Sequence, residues 1–195
     1  MAQLRMIFNA KTTNMPKLVV ADGFRLRNIL DSELDHYNVL RESVGFSTWS
    51  VEQFHNYRKK VLPRGMFLIE EIATGFFAAS AGAETTDITE FPDLGVLGWV
   101  MTHPEMRGHH LGKSVSVACM HRLYQEGYRT FSLLSDDFRV AALKTYLDLG
   151  WKPWLYMKDM KERWEKVAEM LGRNFNLINC LSADTEFPPM EHCLC

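Results

Sequence analysis

No apolar run in the chain approaches the roughly 18 residues that a membrane span needs, and Met1-Ala2-Gln3-Leu4-Arg5 leads into no signal-peptide core. A cytoplasmic protein with no membrane partner is the expectation. Charge of one sign is also missing: 22 Lys and Arg face 24 Asp and Glu, the formal net charge is -2, and no long basic run breaks the balance. This argues against nucleic acid and for a small-molecule partner. Cysteine is sparse. Of Cys119, Cys180, Cys193 and Cys195 only the last two are close, and no second pair stands opposite them, so no zinc pattern and no disulfide framework is read. Glu191-His192-Cys193-Leu194-Cys195 reads as a frayed terminus before it reads as a metal site, and Cys119, among apolar residues, as core. Internal repeats and low-complexity linkers are absent too. What remains is 195 residues, 47% of them hydrophobic, enough to bury one core.

Along the chain, Phe24, Leu26 and Ile29 alternate with Arg25, Arg27 and Asn28, which predicts a first strand over 23–29 with one face buried. Asp31 or Ser32 is expected to cap a helix with Leu34, Tyr37, Val39 and Leu40 on its apolar stripe. Ser50 with Gln53 signals a second cap before Phe54, Tyr57 and Val61. Apolar runs at 66–72 and 76–83 flank Ala73-Thr74-Gly75, a hairpin signal, and 94–102 makes a fourth strand, giving an antiparallel meander. A helix from about Leu111 to Glu126, a strand over 129–134, a helix over 138–149 ending at Gly150, a strand over 151–157 and a last helix from about Lys161 to Gly172 complete the order. One mixed α/β domain is expected over 1–195, with a core at about 23–158, an N-terminal extension over 1–22 and a C-terminal helix and tail over 159–195.

The most informative stretch is Trp99 to Lys113, W-V-M-T-H-P-E-M-R-G-H-H-L-G-K, where a strand runs out near His103, Pro104 and Gly108 turn the chain, and a helix begins. Free N–H groups at such a helix start face an anion. With Arg107-Gly108-His109-His110-Leu111-Gly112 after the fourth strand, the chain resembles the GNAT superfamily of acyl-CoA-dependent N-acetyltransferases, whose signature is Gln/Arg-x-x-Gly-x-Gly/Ala. Ala142, Tyr146, Gly150 and Trp151 match that family's later Ala-x-x-x-Tyr-x-x-x-Gly-Phe/Trp segment. The resemblance covers roughly 23 to 158. It implies a central mixed, mostly antiparallel sheet flanked by helices and splayed between the fourth and fifth strands. Two positions depart from the family: His110 stands at its middle glycine, and Arg139 where it often has Asn.

The resemblance further implies acetyl-CoA as cosubstrate and transfer of its acetyl group to a primary amine by direct attack on the thioester. Backbone N–H groups of Arg107, Gly108, His109, His110, Leu111, Gly112 and Lys113 would hold the pyrophosphate, aided by the helix dipole and the charges of Arg107 and Lys113, with the Leu111 side chain packed inward. Arg139 could reach the same anionic cosubstrate. By the same resemblance Val100, Met101 and Thr102 would pair with the pantetheine arm, one N–H there polarising the thioester oxygen. Tyr146 stands where the family places a general acid for the departing thiolate. Glu84 is the first candidate for the base that takes the amine's proton, with Asp93, Asp136, His103 and a water chain as rivals. Asp136-Asp137 is best explained as an N-cap.

His109-His110 is not read as a metal site, since neighbouring side chains point apart. Phe46, Trp49, Phe54 and Tyr57 lie where the family builds its acceptor pocket, although aromatics at helical spacing also fit a plain core. Two rival functions stand beside the transferase. One is a non-catalytic acyl-CoA sensor, given His110 and Arg139. The other is a P-loop-like nucleotide-binding protein, which the three residues between Gly108 and Gly112 disfavour because the P-loop needs four. The acceptor's identity, the acyl chain length and a homodimer are left open.

Overall fold

The structure, a computed structural model, describes residues 2–86 and 93–173 and the backbone of 181–182; Cys180, Cys193, Cys195 and the His192 tail lie outside the described residues. In chain order the elements are β1 (Leu4–Asn9), β2 (Phe24–Asn28), α1 (Leu34–Ser43), α2 (Val51–Lys60), β3 (Val61–Glu71), β4 (Phe77–Thr85), β5 (Leu94–Thr102), α3 (Leu111–Gln125), β6 (Thr130–Ser135), α4 (Val140–Asp148), β7 (Lys152–Leu155), α5 (Met160–Met170) and β8 (Leu181–Ser182). The fold is mixed α/β with mostly antiparallel pairing, as expected. The chain divides into two compact units, 14–131 and 1–13 with 132–195.

In the unit spanning 14–131 the strand order is β2-β3-β4-β5, all antiparallel. Alternation along these strands puts Leu68, Phe77 and Met101 into one core with Ile29, Tyr37, Leu40, Phe54 and Tyr57. The α2 start is the expected capping box: Ser50 Oγ accepts from Gln53 N at 3.2 Å, and Gln53 Oε1 accepts from Ser50 N at 2.8 Å. The start of α1 differs from expectation. Asp31 and Ser32 open a short 3-10 turn, and the acid that satisfies an orphan amide is Glu33, accepting from Leu30 N at 2.8 Å. On α1 the buried stripe is Leu34, Tyr37, Leu40 and Arg41, while Val39 faces out. The α3 helix is buried along most of its length, Val115, Cys119 and Leu123 included, and packs on β3, β4 and β5. Gly95 permits that approach: a Cβ there would lie 2.7 Å from Leu123 Cδ2.

In the second unit the order is β6-β1-β7-β8, with β1 antiparallel and β8 parallel to β7. The expected N-terminal extension therefore holds a strand that sequence patterning did not show. Leu4, Arg5, Met6, Ile7 and Phe8 are all buried, so no alternation marks β1. Phe8 packs on Trp151 with ring centroids 5.8 Å apart, and Trp154 and Trp164 are buried with them. Among the described residues no helix is long and apolar enough to cross a membrane.

Candidate active site

The turn after β5 is built from local polar chemistry. His103 Nδ1 accepts from Glu105 N at 3.3 Å and opens a 3-10 turn over Pro104–Met106. Gly108 takes φ +91° and His110 φ +58°, two left-handed residues that reverse the chain into α3. No side chain caps α3 and no acid stands in its first turn. The amides of Leu111, Gly112 and Lys113 have no intrahelical acceptor, and they sit at the positive end of a 15-residue helix. Arg107 and Lys113 are exposed, with no ion-pair partner among the described residues. Leu111 is buried, as expected. A Cβ on Gly112 would lie 2.8 Å from Thr102 Oγ1, so the end of β5 and the first turn of α3 approach closely enough that any larger residue would have to displace the Thr102 hydroxyl. A start with open amides, two cations and no carboxylate fits a diphosphate.

Just upstream, β5 carries a bulge. Ser80 pairs with Met101 and Gly82 with Gly98, which leaves Trp99 and Val100 opposite Ala81 alone. Trp99 is held at φ +49°, a conformation that is a genuine outlier for a bulky side chain.

Beside the bulge stands a polar pair in an aromatic surround. Tyr57 Oη, on α2, donates to Glu84 Oε1 on β4 at 2.9 Å. Gly98 and Gly82 make the room: a Cβ on Gly98 would collide with Glu84 Oε1, and one on Gly82 with the Tyr57 hydroxyl. Burial, reinforced by the Glu84 charge, pushes the Tyr57 hydroxyl well up, so it stays a donor. The same two causes raise the Cys119 thiol. Around the pair, Trp49 lies 4.8 Å from Tyr57 and 5.0 Å from Trp99, and Phe46 lies 5.2 Å from Trp99, as ring centroids. The Arg41 guanidinium stacks 3.7 Å from the Trp49 centroid and 4.6 Å from that of Trp99. Burial depresses its pKa. Sequence reading missed Arg41 and the role of Trp99, although Arg41 stands one helical turn beyond Tyr37 on the same stripe.

The remaining candidates stand on other elements. Tyr146, on α4, is buried with its ring 6.3 Å from Trp151. Arg139 Nε donates to Asp136 Oδ2 at 3.0 Å, and Gln3 Nε2 donates to Asp136 Oδ1 at 3.0 Å. Asp137 pairs with Arg163 at 2.5 and 2.9 Å. Neither aspartate caps α4, whose N-cap is Arg139 with no side-chain cap bond, which corrects the expected role of that pair. His103 serves its turn and packs edge-on against Phe76 at 4.7 Å, and Asp93 is exposed at the lead into β5. Of the four candidate bases, Glu84 is the one joined to a buried donor beside the bulge. Among the described residues no group of three His, Cys, Asp or Glu side chains forms a metal site.

This strand and helix order, with a bulged strand leading into an uncapped, glycine-turned helix, is the GNAT fold. Solved structures that share it include a GCN5-related N-acetyltransferase from Sphaerobacter thermophilus, with a TM-score of 0.61 and 16% identity over 78% of this chain and 49% of that one. Another is a tandem GNAT protein from the clavulanic acid biosynthesis pathway, solved without AcCoA, with a TM-score of 0.60 and 18% identity over 78% of this chain and 50% of that one. By sequence the chain is similar to the mycothiol acetyltransferase of Nocardia farcinica, 28% identical over 156 residues that make up 73% of this chain and 50% of that protein. The chain thus spans about half the length of this relative. No protein-family model matches it.

Proposed function

We propose that the protein is an N-acetyltransferase that moves an acetyl group from acetyl-CoA to a primary amine of a small molecule. The observation that carries this reading is the start of α3, open at its amides, free of acids and joined through Gly112 to the end of the bulged β5. The fold and the acetyltransferase relatives support it. Acetyl-CoA, when bound, supplies the thioester.

Arg107 and Lys113 through their side chains, with the N–H groups from Gly108 to Lys113, hold the diphosphate; the Arg107 N–H, expected among them, is already donated to Pro104 O at 3.3 Å. Val100, Met101 and Thr102 pair with the pantetheine amides, and one of their N–H groups faces the carbonyl oxygen as negative charge develops there. Arg139, held by Asp136, adds its charge toward the cosubstrate only by exchanging that ion pair for the anion. Glu84 takes a proton from the acceptor's ammonium, an amine of pKa near 10 that is mostly charged at neutral pH. The freed nitrogen forms its bond to the acetyl carbon as the carbon–sulfur bond breaks and sheds its remaining extra proton to water as the amide forms, while Tyr146 gives its phenolic proton to the departing thiolate and regains one from water.

The test is coenzyme A thiol release with acetyl-CoA against a library of amines, with cosubstrate binding measured in parallel. Release with at least one primary amine is expected. Binding without release from any amine would convert the reading to an acyl-CoA sensor. A melting temperature raised by ATP and magnesium but unmoved by acetyl-CoA would move it to a nucleotide-binding protein.

A further inference from the structure

The aromatic group around Trp99 has the composition of a cation cage, yet its cation is already present. Arg41 is 1% exposed, its Nε donates to Ser47 O at 2.9 Å, and its guanidinium lies against the rings of Trp49 and Trp99. A ligand therefore meets exposed ring surface and not the guanidinium. There Trp99 is 37% exposed, with the half-buried rings of Phe46 and Trp49 set edge-on to it. The Glu84 carboxylate lies over Gly98, the residue before Trp99, in a floor from which Gly82 and Gly98 withhold side chains. The patch thus offers one flat apolar wall and one carboxylate. Its cation is roofed over by rings, so an acceptor carrying a carboxylate or phosphate finds no partner in the patch, and a polyol would leave its hydroxyls against indole. Trp99 keeps this position in a left-handed backbone, a strained state that persists where its surroundings fix it and that marks functional sites.

We propose that the acceptor is an arylalkyl primary amine, its ring lying against the exposed part of Trp99 and its nitrogen at the Glu84 carboxylate, one or two methylenes away. The proposal rests on the acetyl-transfer reading above. Ring-on-ring contact at offset or edge geometry supplies the selectivity, and Trp99 is the specificity-determining residue.

The experiment compares 2-phenylethylamine with ethanolamine as acceptors, read as thiol release at saturating acetyl-CoA. Wild-type kcat/KM is expected to favour the aryl amine at least about ten-fold, the scale of burying one ring. Trp99→Ala is expected to bring the ratio below about three, and Trp99→Leu, which keeps apolar bulk without a π face, to leave it in between. Thermal melting identifies the variants that fold, and the leucine variant carries the test if the alanine one does not. A wild-type ratio at or below one overturns the aryl assignment and leaves acetyl transfer standing. A full ratio kept in a folded Trp99 variant overturns it as well. Thiol release from no amine, with acetyl-CoA bound, removes the transferase reading itself.

Discussion

The starts of α3 and α4 treat charge in opposite ways. At α4 each ionic group is answered within the same unit: Arg139 by Asp136, and Asp137 by Arg163, which also donates to Ala2 O at 2.8 Å. At α3 there is no acid and no cap, and Arg107 and Lys113 meet no carboxylate among the described residues. A helix start that serves the fold is neutralised from inside it. One left open to water with two cations beside it has its counter-charge still to come.

The contrast breaks first where the fold depends on it. Arg163→Ala removes the pair with Asp137 and the bond to Ala2 O, and should cost about 2–3 kcal/mol in urea unfolding, reduced from a fully buried pair because Asp137 is partly exposed. The Arg163 hydrogen bond, against a smaller effect of burial, holds the Asp137 carboxyl below the usual aspartate range. The folded value lies below the unfolded one, so the contribution is complete above about pH 4 and fades as pH falls through the folded value. The gap between wild type and variant should therefore narrow in acid. A gap that is constant from pH 7 to pH 3 would assign the loss to packing alone.

The next effect is on chemistry. Tyr146 is the α4 side chain proposed above as the general acid. Tyr146→Phe should lower kcat about 30-fold, near 2 kcal/mol of barrier, less than a full acid-catalysis effect because a thiolate of pKa near 8.5 departs readily. Unchanged turnover across pH would remove Tyr146 from the reaction and leave it as core beside Trp151.

At α3 the corresponding change touches the ligand and leaves the fold. Arg107→Ala combined with Lys113→Ala should weaken acetyl-CoA binding about ten-fold at low salt, with a smaller factor at high salt, because both charges are exposed and screened. Melting without ligand should not move. If the melting temperature falls while binding holds, the two helix starts are alike after all.

Much of this was legible in the chain. The bounds 94–102 for β5 came directly from its apolar run, and α3 and α5 from periodicity closed by Gly127 and Gly172. Three things were not. β1 is apolar throughout because it is buried throughout, so it lacks the alternation that marks a half-exposed strand. Arg41 was passed over because a charged residue on a buried stripe reads as the end of the stripe, whereas here the rings of Trp49 and Trp99 stand in for a carboxylate. The left-handed turn at Trp99 has no local sequence signal, since glycine or asparagine would be the usual choice. Glu84 and Tyr57 could each be placed on an element, but their pairing depends on the register that sets Gly82 opposite Gly98.

His110 gives the smallest and most divided prediction. It occupies the position where the family resemblance expects glycine, and the structure shows why: φ is +58°, the left-handed region that disfavours a Cβ. His110→Gly removes that penalty but adds freedom to the unfolded chain, so the gain in stability should be at most about 1 kcal/mol. Binding can move the other way. With His110 in place the backbone already reverses into α3 and its amides are already set, so the bulk of the imidazole does not prevent the turn from forming. What glycine then deletes is an exposed ring beside the proposed diphosphate site. Acetyl-CoA should bind two- to five-fold more weakly to a protein that is no less stable, about the effect of one exposed polar contact. Tighter binding would show instead that the imidazole holds the phosphate off, and that the two cations make their contacts in spite of it.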